Sequence, residues 1–553
     1  MVGNYFTRRQ TNIFSAAIII SSMIAVSRIL GLLRNRVLAH FFSAEEISIY
    51  LAAFRLPEMV FDVLVFGAIS AAFIPTFTAY LTKGKKKEAW HVASTTLNLA
   101  ILLFILFSFL LFLFATPLYN LIAAGFDEIQ INRIVFLSRI LILAQAFFLL
   151  SYFLTGVLES LQRFLVPAIA PIFYNLSIIL GTIIFSGKFG ILGPTIGVVV
   201  GALIHFLIQL PLSLSLGLRI KISLDFFHPG IRKITRLAFP RMMELLVLEC
   251  SKSIELLLAS LISPAAYTWF TFASSLQLLP VALFGTSIAK ASLPTLSSLA
   301  TTKETEKFRK IFLSSFNQIL FFTLPASVFL TVLRIPIVRL VFGAARFTWE
   351  STLQTCYTLS AFCLSILSQA LILLLARAFY ALHKTKVAVK VSVCCIFANI
   401  FISFLLILFF HLPIWGLALS FSISSLIHFS ILFFLLDKEI GGFEKSEVFV
   451  PFIKISLASL FSGSIMFFLL KIFDRSAWDK RLSFLGKFGL ALPTNFKYFV
   501  LDTRYTVNLF VLTLFVTLIG TTSYLFLAWL LKIEGFVVLK KLKLSEEEQS
   551  RQC

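Results

Sequence analysis

Apolar residues in this chain gather in long, nearly uninterrupted blocks, such as Leu99 to Ala115 and Phe401 to Phe410 continuing beyond Pro413. Blocks of this length recur from one end to the other, and a bilayer core of about 30 Å needs about twenty such residues in a helix. The pattern predicts fourteen helices, over about 12–40, 47–80, 91–117, 131–160, 164–186, 190–216, 235–263, 266–300, 309–341, 351–382, 386–410, 413–436, 448–473 and 505–531. The expected fold is therefore an all-α polytopic membrane protein.

Composition agrees: of 553 residues, 59% are hydrophobic and 13% charged, and mean hydropathy is +0.96. The net charge of +22 does not point to nucleic acid. Its Lys and Arg sit in short clusters between apolar blocks, as the positive-inside rule requires, rather than in a stripe on a soluble domain. Lys83 with Lys85 to Lys87, Arg219 with Lys221, Arg232, Lys233 and Arg236, Lys303 to Lys310, and Arg377 with Lys384 and Lys386 form one set of loops. The alternate loops Ser43 to Ser48 and Ser263 to Thr268 carry neither residue type. With the basic loops inside, both termini are expected in the cytoplasm, in agreement with Lys540, Lys541 and Lys543. Asp474 to Tyr505 breaks the rule: it should lie outside, yet holds six basic residues interleaved with Trp478, Phe484, Leu485 and Phe488. That alternation suits an interfacial amphipathic segment; the alternative is a miscounted helix near the end. Arg8-Arg9 precede an apolar run without a small-residue cleavage site, so an uncleaved first helix is expected. The six cysteines show no CxxC or Cys/His spacing, and neither a disulfide framework nor a zinc site is indicated.

An internal repeat suggests how the helices are organised. Phe66-Gly67-Ala68-Ile69-Ser70-Ala71-Ala72-Phe73-Ile74-Pro75-Thr76 returns, one residue longer, as Phe284-Gly285 through Leu293-Pro294-Thr295. Each copy closes the second helix of its half, and Arg28 and Arg241 fall inside the first helix of each half. The chain thus divides into 1–217 (six helices), 218–437 (six helices) and 438–553 (two further helices, a long outer loop and a basic tail). Transporters built from parallel repeats bind substrate where the halves meet.

Several ionisable residues interrupt the apolar spans, where they are costly and commonly face water. The run Ile13 to Val26 is too short to span, so Arg28, Arg34 and Arg36 must extend the first helix. In the second, Arg55, Glu58 and Asp62 share a face by their i, i+3, i+7 spacing. Arg34 and Arg55 lie about nine residues from the turn at Ser43 to Glu46, roughly 14 Å along a helix, and Arg28 and Asp62 about sixteen, roughly 24 Å. Antiparallel neighbours would bring Arg34 to Arg55 in a cationic pocket and pair Arg28 with Asp62. Interfacial anchoring or a purely structural ion pair are the alternatives. In the seventh helix Arg241, Glu244, Lys252 and Glu255 form one stripe, with Glu249 beside it. A charged cavity with arginines, whose planar forks donate two hydrogen bonds at once, favours an anionic cargo. Arg28, Arg34, Arg55, Arg241 and Lys252 are the candidate substrate-binding residues, with Glu58, Asp62, Glu244, Glu249 and Glu255 as supporting charges. Asn98, Arg139, Gln145, Asn175, His205 and Asn399 read as helix–helix hydrogen bonds.

The first hairpin carries a family pattern: Ser27-Arg28-Ile29-Leu30-Gly31-Leu32-Leu33-Arg34, Ala53-Phe54-Arg55-Leu56-Pro57, Gly67-Ala68 and Ala72-Phe73-Ile74-Pro75. It continues in Gln162-Arg163-Phe164, Pro167 to Pro171, Asn175, Leu279-Pro280, Leu293 to Leu296 and Arg377 to Ala381. These segments resemble the MurJ (MviN) family of lipid II flippases, within the multidrug/oligosaccharidyl-lipid/polysaccharide exporter superfamily. The resemblance implies two six-helix lobes in a V shape working by alternating access. It implies two extra helices holding an undecaprenyl tail, and Arg28, Arg34 and Arg55 as cavity cations for the diphosphate of lipid II. It further implies a bacterial plasma membrane location, drive by membrane potential or sodium, and no cofactor. Membrane lipids and cell-wall synthesis proteins would be its neighbours. The chain departs from the family at Asn35, Ile49, Phe61 and Ser274-Ser275, where acidic or basic residues are common. Arg241 or Lys252 is expected to supply the missing cation.

Competing readings are a flippase for another polyprenyl-linked glycan, a drug exporter, or a non-transporting scaffold for wall-building enzymes. An enzyme is disfavoured: the seven His are dispersed, no DxD or HExxH occurs, and the loops are mostly short.

Overall fold

The computed structural model describes residues 13–218, 221–302, 304–475 and 500–533. The interfacial segment expected around Trp478 to Phe488 and the lysines of the tail lie outside them. Every regular element among the described residues is helical, as hydrocarbon demands of a backbone that must satisfy its own hydrogen bonds. In chain order these are α1 (Ile13–Phe41), α2 (Ala44–Val65), a π-helical stretch π1 (Phe66–Phe73), α3 (Ile74–Thr82), α4 (Lys86–Ile122), α5 (Glu128–Ser160), α6 (Leu165–Phe189), α7 (Leu192–Ser215) and α8 (Pro229–Ile262). There follow α9 (Ala266–Pro280), π2 (Val281–Thr286), α10 (Ser287–Thr301), α11 (Thr305–Val332), α12 (Arg334–Phe342), α13 (Trp349–Cys363) and α14 (Ile366–Ala381). The series ends with α15 (Thr385–Phe404), π3 (Leu405–Phe409), α16 (Trp415–Glu439), α17 (Lys445–Phe473) and α18 (Thr506–Leu530). Capping boxes start two of them: Ser43 with Glu46 at α2, and Asp127 with Gln130 at α5.

Ten helices among the described residues are long and apolar enough to cross a membrane, or eleven if the bent pair α13–α14 is one span. The expected fourteen is not reached by this measure. In α8 the reason is physical: Arg241, Glu244, Glu249, Lys252 and Glu255 interrupt its apolar run.

The chain forms two compact units, Met1–Trp269 with Phe342–Thr348, and Phe270–Val341 with Trp349–Cys553. In the first, Phe61, Phe73, Phe77 and Phe153 anchor a core made by α2, π1, α3, α4, α5 and α8. α6 and α7 approach through glycine: a Cβ on Gly181 would lie 2.7 Å from the Gly197 Cα, the small-residue contact by which membrane helices pack closely. At the end of α4, His91 Nε2 and Asp225 Oδ2 are 3.2 Å apart, and Asp225 Oδ1 accepts from the His228 backbone at 3.1 Å. The His91 hydrogen bond is the main cause holding the Asp225 carboxyl below the ordinary carboxylate range.

In the second unit, Phe308, Phe312, Phe321 and Phe379 centre a core shared by α10, α11, α14, α16, α17 and α18. Tyr524 of α18 donates to the Phe321 carbonyl at 2.8 Å. At the 43° bend between α13 and α14, three serine hydroxyls donate to backbone carbonyls. Ser422 donates to Ala361 at 2.6 Å, Ser365 to Phe362 at 2.7 Å, and Ser327 to Cys363 at 2.6 Å. The two copies of the sequence repeat share a structural feature: each coincides with or adjoins a π-helical stretch. A Cβ on Gly67 would meet Met242 of α8 at 2.4 Å, and one on Gly285 would meet Ala370 of α14 at 2.7 Å.

Candidate functional site

The charges of the first unit converge where α2 meets α8. Arg55 is 5% exposed, and its Nη2 donates to Glu249 Oε2; Glu249 is 1% exposed. The second oxygen, Oε1, takes Lys252 Nζ at 2.6 Å. Glu249 thus bridges a buried guanidinium and a half-exposed ammonium. α8 carries both of its members one turn apart, and Ser253 anchors the turn by donating to the Glu249 carbonyl at 3.0 Å. α2 is held opposite by Tyr119 of α4, which donates to the Ala53 carbonyl at 3.0 Å and lies 3.0 Å from Ser138 Oγ of α5. Arg55 Nε is buried without a hydrogen-bond partner. Removing either member of such a pair leaves an uncompensated buried charge, a loss of about 3–5 kcal/mol.

The other predicted residues are placed as follows. Arg241 pairs with Glu244 at 2.6 Å in the N-terminal half of α8, with 43% of the arginine side chain exposed. Arg34 donates to Asn35 Oδ1 at 3.2 and 3.1 Å and to Asn175 Oδ1 at 3.3 Å. Glu58, Asp62 and Glu255 are half-buried, and no salt bridge among the described residues includes them.

Two expectations are corrected. Arg28 is exposed and forms no ion pair with Asp62 among the described residues. The premise of a tight first hairpin is what fails: α1 packs chiefly along α6 and meets α2 only lightly. For the same reason Arg34 finds Asn175 of α6, while Arg55 is neutralised by Glu249 rather than sharing a cationic pocket. Glu249, read from the sequence as lying beside the stripe, is the residue that joins the two charged helices. Its signal was its flanking position: a carboxylate off the stripe faces a different neighbour.

The family positions that lack charge here are absorbed into packing. Phe61 is 5% exposed, and its ring sits edge-on to Phe66 and Tyr152 at 5.8 and 5.5 Å. Ile49 is buried, and Ser275 donates to the Phe272 carbonyl at 2.7 Å. Of the isolated polar residues, His205 joins two helices, its Nδ1 2.6 Å from Ser151 Oγ, whereas Asn98 donates to the loop carbonyl of Lys221 at 2.8 Å and Asn399 Oδ1 is buried without a partner. Among the described residues, no group of three His, Cys, Asp or Glu side chains converges as a metal site.

A family model described as "Lipid II flippase MurJ" matches residues 38–489. A probable lipid II flippase MurJ of Thermotoga maritima is 28% identical over 514 residues, covering 92% of this chain and 94% of that protein. One of Buchnera aphidicola from Acyrthosiphon pisum is 27% identical over 475 residues, covering 85% and 92%. Among solved structures, a lipid II flippase MurJ in an inward closed conformation superposes with a TM-score of 0.74 at 24% identity, covering 92% of this chain and 98% of that one. An inward-facing multidrug transporter of the MATE family and MOP superfamily follows at 0.66 and 13% identity, covering 77% and 98%. With a family model spanning most of its length, the chain belongs to the MurJ lipid II flippase family.

Proposed function

We propose that the protein carries lipid II, an undecaprenyl-diphosphate-linked peptidoglycan precursor, from the cytoplasmic to the outer leaflet of a bacterial plasma membrane by alternating access. Membership of the family supports the cargo. The observation that carries the mechanism is the Arg55–Glu249–Lys252 chain. It makes α8 a membrane helix whose charge is balanced internally while Lys252 keeps 38% of its side chain exposed. Lys252, with the partly exposed Arg34 and the exposed Arg28 and Arg241, supplies the cations for the diphosphate. Arg55 is a positioning residue that fixes α2 on α8 through Glu249. Both termini are cytoplasmic in this reading, and membrane potential supplies the drive.

Complementation tests it. The intact chain restores growth to a bacterium depleted of its own flippase and makes lipid II accessible at the outer surface. Replacing Arg241 and Lys252 together with alanine abolishes that accessibility while the protein remains folded in the membrane. Full transport by the double variant rejects the role of these cations; growth without exposed lipid II rejects the cargo.

A further inference from the structure

The second unit holds a cavity of about 500 Å3 at the Lys- and Arg-rich ends of α11 and α17 and the close of α18. Its lining combines Lys310, Lys454 and Lys532 with Glu447 and Asn317. Opposite charges in one small space would ordinarily neutralise each other. Here none of the three lysines forms an ion pair with Glu447 among the described residues, and Lys454 Nζ is spent on the Leu531 carbonyl at 3.1 Å. Acceptors go wanting on the same wall. Glu447 Oε2 is buried without a partner, as is Oδ1 of Asn317, a residue only 8% exposed. Pro451, one turn along α17, has no N–H to donate to the Glu447 carbonyl.

Lys532 is held in place by its turn. The end of α18 is a Schellman turn, with Ile533 N–H donating to Ala528 and Lys532 N–H to Trp529. Glycine is favoured at the left-handed position of that turn, yet Lys532 occupies it at φ 53°. The ends of α5 and α14 close the same way on Gln162 at φ 60° and His383 at φ 57°, so the turn fixes the lysine's place without singling it out.

We infer that this cavity binds the head group of a phospholipid carrying both a phosphate and a primary amine, of the phosphatidylethanolamine class. The phosphate meets the lysines, whose ammonium groups act as point-charge donors. The head-group ammonium has three N–H donors for the acceptors around Glu447 and Asn317. A purely anionic head group would leave those acceptors empty and face the Glu447 carboxylate. Leu313, Val450 and Ile533 complete the wall and suit the glycerol and first methylenes of a lipid rather than a soluble amine phosphate.

The test is native mass spectrometry of the detergent-purified full chain, titrated with phosphatidylethanolamine, phosphatidylglycerol, phosphatidylcholine and free phosphoethanolamine. The expected result is retention of phosphatidylethanolamine about tenfold above the other two lipids, the scale of one charge-assisted hydrogen bond. Free phosphoethanolamine at equal concentration does not displace it. Glu447→Gln removes the preference over phosphatidylglycerol. Lys532→Gly weakens retention of phosphatidylethanolamine, while thermal unfolding at an unchanged or higher temperature shows the turn intact. Equal retention of phosphatidylglycerol overturns the inference, as does displacement by free phosphoethanolamine. So does an undiminished preference in Glu447→Gln, or wild-type retention in a stably folded Lys532→Gly.

Discussion

The two compact units solve the same packing problem with different polar chemistry. Among the described residues of the second unit, ion pairs sit at helix ends: Lys384 with Glu439 at 2.5 Å, Arg309 with Glu306 at 3.0 Å, and Lys307 with Glu304. Its interior polar contacts are neutral, from Tyr524 on Phe321 to Ser403 against Ser420 at 2.7 Å. The first unit instead carries Arg55 and Glu249, both almost fully buried, through its middle. The described residues of the second unit thus pack without a buried ion pair, and the pair in the first unit is what sets the two apart. Buried ion pairs rarely outperform apolar packing in stability, so the contrast can be tested by replacing the pair.

Breaking the pair tests the contrast most severely. Glu249→Ala strands Arg55, and we expect a loss of about 3–5 kcal/mol, seen as a steep fall in thermal unfolding temperature and yield. Arg55→Met with Glu249→Met restores stability but not lipid II export. A stable but inactive double variant sharpens the contrast; an active one removes it. The next effect probes what the units share. Gly285→Ala drives a Cβ to 2.8 Å from the Ala370 Cα, whereas Gly67→Ala meets Met242 first at its Cγ, with the Met242 Cα farther off at 3.2 Å. The former is expected to cost about 1–3 kcal/mol and the latter less, measured by unfolding of the purified variants. Smaller still is Tyr524→Phe, which forfeits one neutral hydrogen bond in the second unit, about 1 kcal/mol. The smallest effect lies outside the spans. Because the Asp225 carboxyl is depressed, its contribution is present above the unfolded value of roughly 3.9. It is lost as pH falls through the lower folded value. His91→Ala should weaken that acid sensitivity in hydrogen exchange of the loop at 221–228, the Phe227 and His228 N–H donors to Asp225 remaining.

Much of the helical framework could be read from the chain because lipid enforces it: blocks such as Leu99 to Ala115 have no other stable form in hydrocarbon. The repeat around Gly67 and Gly285 was visible too, since close helix approach selects a residue without a side chain. The partners of the charges were harder to read. Spacing along one helix put Arg55, Glu58 and Asp62 on a face, but which helix lies opposite depends on tertiary packing. The assumption that consecutive helices are nearest neighbours sent Arg28 to Asp62. The chain instead laid α1 on α6 and brought α8, nearly two hundred residues away in sequence, against α2. The lysine-lined cavity escaped notice for a similar reason, since Lys310, Lys454 and Lys532 come from segments widely spaced along the chain.

The serines at the break between α13 and α14 bear on how the second unit can move. An interruption in a membrane helix would act as a soft joint if its carbonyls were free to exchange partners with water. Here Ser327 and Ser422 reach in from other helices to occupy two, and Ser365 adds its hydroxyl to a third that its own N–H already holds. Straightening would strip all three at once in a medium that offers no replacement. The bend is accordingly an elbow cast in place.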